Sequence, residues 1–292
     1  MTASEPLAGV LPVDKPVGPT SHDIVDMTRR ALRTRRIGHT GTLDPFASGL
    51  LLLCIGAATR LAEFMAGLPK RYRARLRLGQ RTDTDDLTGT VIEESARWRE
   101  VEQAHFEDVL ARFRGDILQV PSTYSAKKQR GERAYHAARQ GRAVALDAVA
   151  VHIGELRLVE WDPPHAALDV ACSTGTYVRA LARDIGAALG VGAHLTALRR
   201  TAIGPHRVED ALTLETLTDA ARVREALIAP LDALADMPRL SLSEEELVRV
   251  RHGRALELPH APGTIALVAH GALVAIAAAD GERVRPRKVF GA

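Results

Sequence analysis

The sequence predicts an α+β fold: a mixed, largely antiparallel sheet flanked by helices, followed by a small C-terminal β-barrel. Segments that alternate like β-strands are interspersed, through most of the chain, with segments whose apolar residues recur at helical spacing. Beyond Met237-Pro238 the pattern changes to brief alternating strands, which favours a small barrel. We therefore predict two domains, residues 1–236 and 237–292.

The first elements are a helix, a buried strand and a second helix. Ser21 can cap a helix that runs to about Arg35. The continuous apolar run at residues 50–55 predicts a buried strand. A helix at about residues 58–66 follows, and Gly67 ends it.

Residues 71–78, RYRARLRL, alternate strictly and predict a strand with two different faces. Four arginines lie on one face, whereas Tyr72 points inward with the apolar residues. An acidic turn, TDTDD at residues 82–86, comes next. The same spacing arguments predict further elements: helices at about 101–113, 178–189 and 243–250, and strands at about 90–93, 150–160, 166–172, 195–203, 265–268 and 273–279.

The composition is that of an ordinary globular protein, with 46% hydrophobic and 26% charged residues. Cys54 and Cys172 each lie in an apolar run without a CxxC partner, which favours buried free thiols over zinc ligands or a disulfide. The N-terminal residues lack the pattern of a signal peptide, and no apolar run is long enough for a membrane span. We therefore expect a cytoplasmic protein.

Positive charge is concentrated in two stretches of the chain. Residues 1–81 contain 13 Lys and Arg against 6 Asp and Glu, and residues 123–142 contain 6 against Glu132 alone. Such local excess is typical of a surface that binds a polyanion. A solvated, arginine-rich surface would explain the composition equally well.

Three residues are candidates for chemistry, although each has an ordinary alternative. Asp44 lies in the loop GHTGTLDPFASG, where a simple turn is the alternative. Tyr72 could be a core residue, and Arg179 at a helix start could pair with any surface acid. The loop lacks the GK[ST] of a phosphate-binding loop, and His39 lacks the second ligand that a metal site requires.

Four stretches together resemble the TruB family of tRNA pseudouridine-55 synthases: GHTGTLDPFASGLL, KRYRARLRLGQRTDTDD, QVPSTYSAKKQRGERAY and STGTYVRALARDIG. The resemblance runs from about Gly9 to Arg200, and the C-terminal module is similar to a PUA domain, an RNA-binding β-barrel. It implies a pseudouridine synthase catalytic domain that isomerises uridine in the T-arm of tRNA. It also implies no cofactor and no metal. The absence of a Lys-rich tail and the single small terminal module favour an enzyme that needs no guide RNA, and we expect a monomer.

The resemblance also implies roles for individual residues. Asp44 matches the nucleophile, Tyr72 the tyrosine that stacks on the target base and takes up its ring proton, and Arg179 the partner of the aspartate. Whether Asp44 attacks the ribose or the uracil ring stays open. Four further residues match substrate-binding positions: His39 as support for the flipped-out nucleotide, Tyr177 and Leu198 in the uracil pocket, and Asp86 as an acid near the site.

A nucleophilic carboxylate must stay ionised inside a pocket that excludes water. From the sequence we expect Arg179 to achieve this, because an opposite charge within ~4–6 Å lowers an aspartate pKa by roughly 1–3 units. Two rival interpretations remain beside the stand-alone enzyme. One is a guide-RNA-dependent pseudouridine synthase, and the other is a tRNA-folding or RNA-binding protein whose chemistry is secondary or lost.

Overall fold

A computed structural model describes residues 7–122, 128–129, 132–133 and 146–290. Within this part of the chain the first fourteen strands belong to the body of the molecule: β1 Gly9–Lys15, β2 Ile37–His39, β3 Ser48–Ile55, β4 Lys70–Leu78, β5 Gln80–Thr82, β6 Val91–Glu94, β7 Gly115–Gln119, β8 Lys128–Gln129, β9 Glu132–Arg133, β10 Val149–Asp162, β11 His165–Cys172, β12 Ala193–Ile203, β13 His206–Arg207 and β14 Leu212–Thr213. The α-helices of the body are α1 Ser21–Leu32, α2 Ala62–Ala66, α3 Gln103–Ala111, α4 Val178–Ala188 and α5 Ala220–Glu225.

Ten of these strands form one sheet in the order β14-β1-β3-β12-β4-β11-β10-β7, with β13 paired to β12 and β2 to β3. Only the pairs β1 with β14 and β3 with β12 are parallel; the other pairs of this sheet are antiparallel. The predicted mixed, largely antiparallel sheet is therefore confirmed. Strands β5 and β6 form a separate hairpin that carries the acidic turn.

Strand β3 lies between β1 and β12 in the sheet and is buried on both faces. Leu51, Leu53 and Ile55 pack with residues of α1, whereas Leu50 and Leu52 pack with α2 on the other face. A strand covered on both sides reads as a continuous apolar run, because no position alternates into water. This explains the sequence pattern at residues 50–55.

Helix α1 begins one residue earlier than the sequence suggested, and its cap is Thr20. The Thr20 side chain accepts from the Asp23 backbone N–H, and Asp23 bonds back to Thr20 in a capping box. Ser21, which the sequence predicted as the cap, is buried and turns inward instead. Its hydroxyl bonds to Leu43, in the loop that carries Asp44.

Strand β4 has the two faces that its alternation predicted. Tyr72 packs against the cluster that also contains Ala74, Leu76 and residues of α3 and α4. On the opposite face Arg71, Arg73 and Arg75 form ion pairs with Glu155, Asp169 and Asp162 of the neighbouring strands β10 and β11. Much of the positive charge counted at residues 71–77 is therefore neutralised locally, on the face away from Tyr72.

The C-terminal module contains β15 Arg239–Ser241, α6 Glu244–Arg251, β16 His260–Ala269, β17 Ala272–Gly281 and β18 Val284–Val289. The strands pair in that order, with a core of their own beneath α6. The predicted small, mostly β module is therefore confirmed. Residues Ala266, Ile276 and Phe290 also pack into the cluster that covers one face of β3, so the module shares a core with the body.

The predicted helix at 58–66 is a 3₁₀ turn, Gly56–Leu61, continued by the short α2. Most of the basic stretch at residues 123–142 lies outside the described residues. Within the described part of the chain, no helix is both long enough and apolar enough to cross a membrane.

Candidate active site

A cavity of about 380 Å³ opens where the loop after β2, strand β4, the start of α4 and strand β12 meet. Its walls contain five of the seven residues predicted from the sequence: Asp44, Tyr72, Tyr177, Arg179 and Leu198. The size is at the lower end of the range for small-molecule pockets. One nucleoside-sized group therefore fits.

The loop that carries Asp44 is held from three sides. The Ser21 hydroxyl accepts from the Leu43 backbone N–H at 2.8 Å, and the Arg200 guanidinium donates to the Gly41 carbonyl at 3.0 Å. The Gly18 N–H donates to the Pro45 carbonyl at 2.8 Å, just beyond Asp44. The carboxylate is thus presented by a backbone whose polar groups are already bonded.

Arg179 lies between two carboxylates. Its Nε is 3.1 Å from Asp44 Oδ2, and its Nη1 is 3.4 Å from Asp86 Oδ2 and donates to the Thr84 carbonyl at 3.1 Å. The side chains of Arg179 and Asp86 are 7% and 4% exposed, whereas that of Asp44 is 38% exposed. Asp44 is therefore the one carboxylate of the pair that can meet a ligand.

The pKa of Asp44 moves in the direction opposite to the expectation from the sequence. Burial raises it above its ordinary value, and Asp86 adds to the rise, while the charges of Arg179 and Lys15 act against it. The charge of Arg179 taken alone predicts a lowered pKa for Asp44. Desolvation in the pocket and the charge of Asp86, which shares the same guanidinium, raise that pKa instead.

Tyr72 is half-buried in the pocket wall. Burial raises the pKa of its phenol, and the positive charge of Arg200 beside it opposes that rise. Tyr72 and Arg200 are also direct partners across β4 and β12. The phenol is therefore neutral at pH 7 and presents an aromatic surface next to Asp44.

Two predicted residues lie outside the cavity wall. Asp86 is buried behind Arg179, where it also accepts hydrogen bonds from Thr84 and Thr88. His39 lies at the end of β2 beside the cavity residue Thr40, and its buried Nδ1 has no hydrogen-bond partner within the described part of the chain. Burial and nearby Arg200 lower the pKa of His39.

Three buried cations of the site were not singled out by the sequence. Lys70 and Arg200 line the cavity, and Lys15 is fully buried with its ammonium bonded to the Pro16 and Pro19 carbonyls at 2.9 Å. Burial lowers the pKa of Lys15 and of Lys70 to about 8. The signal that could have found them is a charged residue at the edge of an apolar strand, as in Val13-Asp14-Lys15.

The arrangement combines an accessible carboxylate, a fixed guanidinium partner and two tyrosines in one small cavity. Such a carboxylate can act as a nucleophile or as a base on a flat ring held by the aromatic side chains. Among the described residues, no group of three or more His, Cys, Asp or Glu side chains is arranged to hold a metal ion.

Comparison with known families agrees with this geometry. The sequence profile of the TruB family pseudouridylate synthase N-terminal domain matches residues 29–178. The chain belongs to the TruB family. Two further profiles, the tRNA pseudouridylate synthase B C-terminal domain and the tRNA pseudouridine synthase II C-terminal domain, match residues 179–236 and 237–291 of this TruB-family chain.

The TruB-family relatives match almost the whole chain. The tRNA pseudouridine synthase B of Burkholderia lata is 46% identical, over 96% of this chain and 83% of the relative. Those of Arthrobacter sp. (strain FB24) and Azoarcus sp. (strain BH72) are 43% and 42% identical and cover 97% of this chain, with 97% and 94% of their own lengths.

Solved structures share the fold at lower identity. A chain in an H/ACA RNP bound to a substrate RNA containing 2′-deoxyuridine superposes with a TM-score of 0.75 at 26% identity. One in a Cbf5-Nop10-Gar1 complex gives 0.77 at 27% identity. Each match covers 97% of this chain and 85% of the other. The TruB-family fold thus extends to proteins that are parts of larger complexes.

Proposed function

We propose that this protein is a tRNA pseudouridine synthase that isomerises the T-arm uridine at position 55. The observation that carries the proposal is the ion pair of Asp44 with Arg179 in a cavity walled by Tyr72 and Tyr177. The TruB family match and relatives named tRNA pseudouridine synthase B support the same activity. We further propose that it acts without a guide RNA, as a monomer.

The reaction rearranges bonds without changing the composition of the nucleotide. The bond from ribose C1′ to uracil N1 breaks, the base rotates, and a bond from C1′ to C5 forms as C5 loses its proton and N1 gains one. The isomerisation is redox-neutral, so the chemistry itself requires no electron acceptor. A carboxylate nucleophile can carry it by holding the detached fragment in covalent form.

Asp44 is proposed as that nucleophile, and Arg179 as the partner that keeps it ionised and oriented. A guanidinium suits this role because it stays charged at every working pH and can bond to two carboxylates at once. The target base is unreachable inside a stacked stem and must be extruded, at a cost of a few kcal/mol. The Tyr72 ring would then replace the lost stacking. Its second proposed role is to take up the proton that leaves C5.

The remaining site residues complete the pocket. Tyr177 and Leu198 are proposed to line the uracil pocket beside Tyr72, since both line the cavity. Asp86 would act through Arg179, because it is buried behind that guanidinium. His39, at the end of β2 beside Thr40, would support the flipped-out nucleotide from outside the cavity. The C-terminal module, residues 237–292, is proposed as an RNA-binding domain.

The test measures conversion of a T-stem-loop transcript with no cofactor added. The transcript contains 5-tritiated uridine, and the tritium released from C5 reports the conversion. Asp44→Asn keeps the size of the side chain but removes its nucleophilic charge, so we expect no tritium release and tRNA affinity within a few-fold of the wild type. Asp169→Asn, on the sheet face away from the cavity, is the matched control and should keep its activity. Normal turnover by Asp44→Asn would refute the nucleophile assignment.

A second candidate is a tRNA-folding or tRNA-binding protein with secondary or no catalysis. It is favoured only if the wild-type protein binds the transcript tightly and releases no tritium.

A further inference from the structure

Helix α4 carries two arginines on one face, Arg179 and, one turn later, Arg183. The three guanidinium nitrogens of Arg183 reach three different partners. Its Nη1 is 3.2 Å from Asp85 Oδ2, its Nη2 donates to the Val120 carbonyl at 2.7 Å, and its Nε is 2.9 Å from Asp184 Oδ1. None of these partners lines the cavity.

Asp85 and Asp86 are consecutive, and the two arginines divide them. Arg183 pairs with Asp85 while Arg179 pairs with Asp86. Asp85 has a backbone φ of +62°, a conformation that L-residues adopt at a cost, so the turn is held in place by its contacts. Its side chain is 13% exposed, which makes the pair with Arg183 largely desolvated.

Strand β7 contacts α4 on both sides of Arg179. The Val120 carbonyl, just beyond the strand, accepts from Arg183, and the side chain of Gln119 accepts from the Tyr177 backbone N–H at 2.8 Å. Gln119 is fully buried, and its Nε2 has no hydrogen-bond partner among the described residues. The bond from Tyr177 to Gln119 therefore joins the N-terminal end of α4 to the end of β7.

We propose that Arg183 is a positioning residue: by joining α4 to the Asp85 turn and to the end of β7, it holds Arg179 between Asp86 and Asp44. The inference rests on the proposed function, since it assigns a supporting residue to the same site. A lysine could not replace it, because a single ammonium lacks the planar fork that reaches three acceptors in fixed directions.

The physical consequence of losing Arg183 follows from the burial of its partner. Asp85 would lose the guanidinium that pairs with it in a largely buried turn, which is unfavourable. The turn would relax towards solvent, and Asp86 would move with it. Arg179 would then lose one of its two carboxylate partners and its fixed position against Asp44. Displacements of about 1 Å at a reacting group can cost about 100-fold in rate.

The test uses Arg183→Met and the milder Asp85→Asn, which keeps an acceptor and tolerates the positive φ. Arg199→Met is the control, since Arg199 likewise forms an ion pair with an aspartate, here Asp14, and does not line the cavity. The first readout is kcat and KM on the T-stem-loop. We expect kcat to fall about 10- to 100-fold in Arg183→Met, with KM within two-fold and less change in Asp85→Asn.

The second readout needs no turnover: carbon-13 NMR titration of the Asp44 carboxyl. Four groups act on this carboxyl from the elements around it: Arg179 from α4, Asp86 from the turn, Lys15 from β1 and Tyr72 from β4. If Arg183 positions Arg179, its loss weakens the countercharge. Because Arg179 acts on Asp44 more strongly than Asp86 does, the pKa of Asp44 rises further in Arg183→Met. The Arg199→Met control should leave this titration unchanged.

An Arg183→Met protein with unchanged kcat and an unchanged Asp44 titration would overturn the inference. So would a variant that only melts at a lower temperature, with wild-type titration of its folded form, because that is a purely structural role. Failure of the proposed function looks different: the wild type itself would release no tritium, while the shift of the Asp44 titration would still be measured.

Discussion

At Asp44 a single carboxyl group is subject to burial, two cations and a second carboxylate. Burial raises its pKa, Arg179 and Lys15 act to lower it, and Asp86 raises it. The net effect is a pKa above the ordinary value, although Arg179 stabilises the ionised form. This is the arrangement in which catalytic carboxylates are commonly tuned.

The pH dependence of single-turnover conversion should report this balance. A nucleophilic Asp44 must be deprotonated, so the rate falls as pH falls through its pKa, which lies above the ordinary value of 3.8. Because Asp86 raises that pKa, Asp86→Asn should move the acid limb to lower pH. Profiles measured with enzyme in excess over T-stem-loop would show this. Identical limbs in both proteins would mean that Asp44 does not limit the rate.

Strand β3 explains how the neighbouring elements are brought close enough to build the site. Gly49 has a φ of +103°, and a Cβ there would overlap the backbone carbonyl of Arg200 on β12. The absence of a side chain lets β3 and β12 run in contact. That contact places Arg200 and Leu198 beside the Asp44 loop.

Gly49→Ala should therefore destabilise the protein by roughly 2–4 kcal/mol, through overpacking together with backbone strain. The matched control is Gly18→Ala, because Gly18 has a similar φ of +110° but open space where the Cβ would lie. The control should lose only the strain contribution. Urea unfolding measures both, and equal losses would show that the close approach of β3 and β12 is not what requires glycine.

On the scale of the whole molecule, the C-terminal module and the body form a shared apolar core. Phe290 and Ile276 pack in the same cluster as Leu50 and Met65 of the body. An ion pair of Lys288 with Glu63, at 3.0 Å, lies at the same junction. We infer that the module is held against the body, so that an RNA bound by both would meet one continuous surface.

Phe290→Ala should lower the free energy of unfolding by about 3 kcal/mol, because it opens a cavity in this shared cluster. Calorimetry should still show one transition if the two parts unfold together. Val248→Ala, a substitution at an exposed position of α6, is the control and should change stability by less than about 0.5 kcal/mol. Two separate transitions in the wild type would contradict the shared core.

Periodicity and local motifs are sufficient to predict much of the secondary structure and which faces of the strands are buried. The alternation of residues 71–78 predicted both faces of β4, and the apolar run after Gly49 predicted a buried strand. The helix cap was wrong by one residue, since Thr20 and Ser21 can both cap, and only the contact with Leu43 decides between them. Local sequence does not contain that contact.

Periodicity predicts many of the strands and helices and the inward direction of Tyr72, and the quoted motifs group Asp44, Tyr72 and Arg179 as site residues. The tertiary structure decided the rest: that Arg179 bridges Asp44 and Asp86, that Lys15 and Arg200 are buried nearby, and that the pKa of Asp44 is raised. The reason is physical. Burial and charge act through space, and the groups that set them come from elements far apart in the chain.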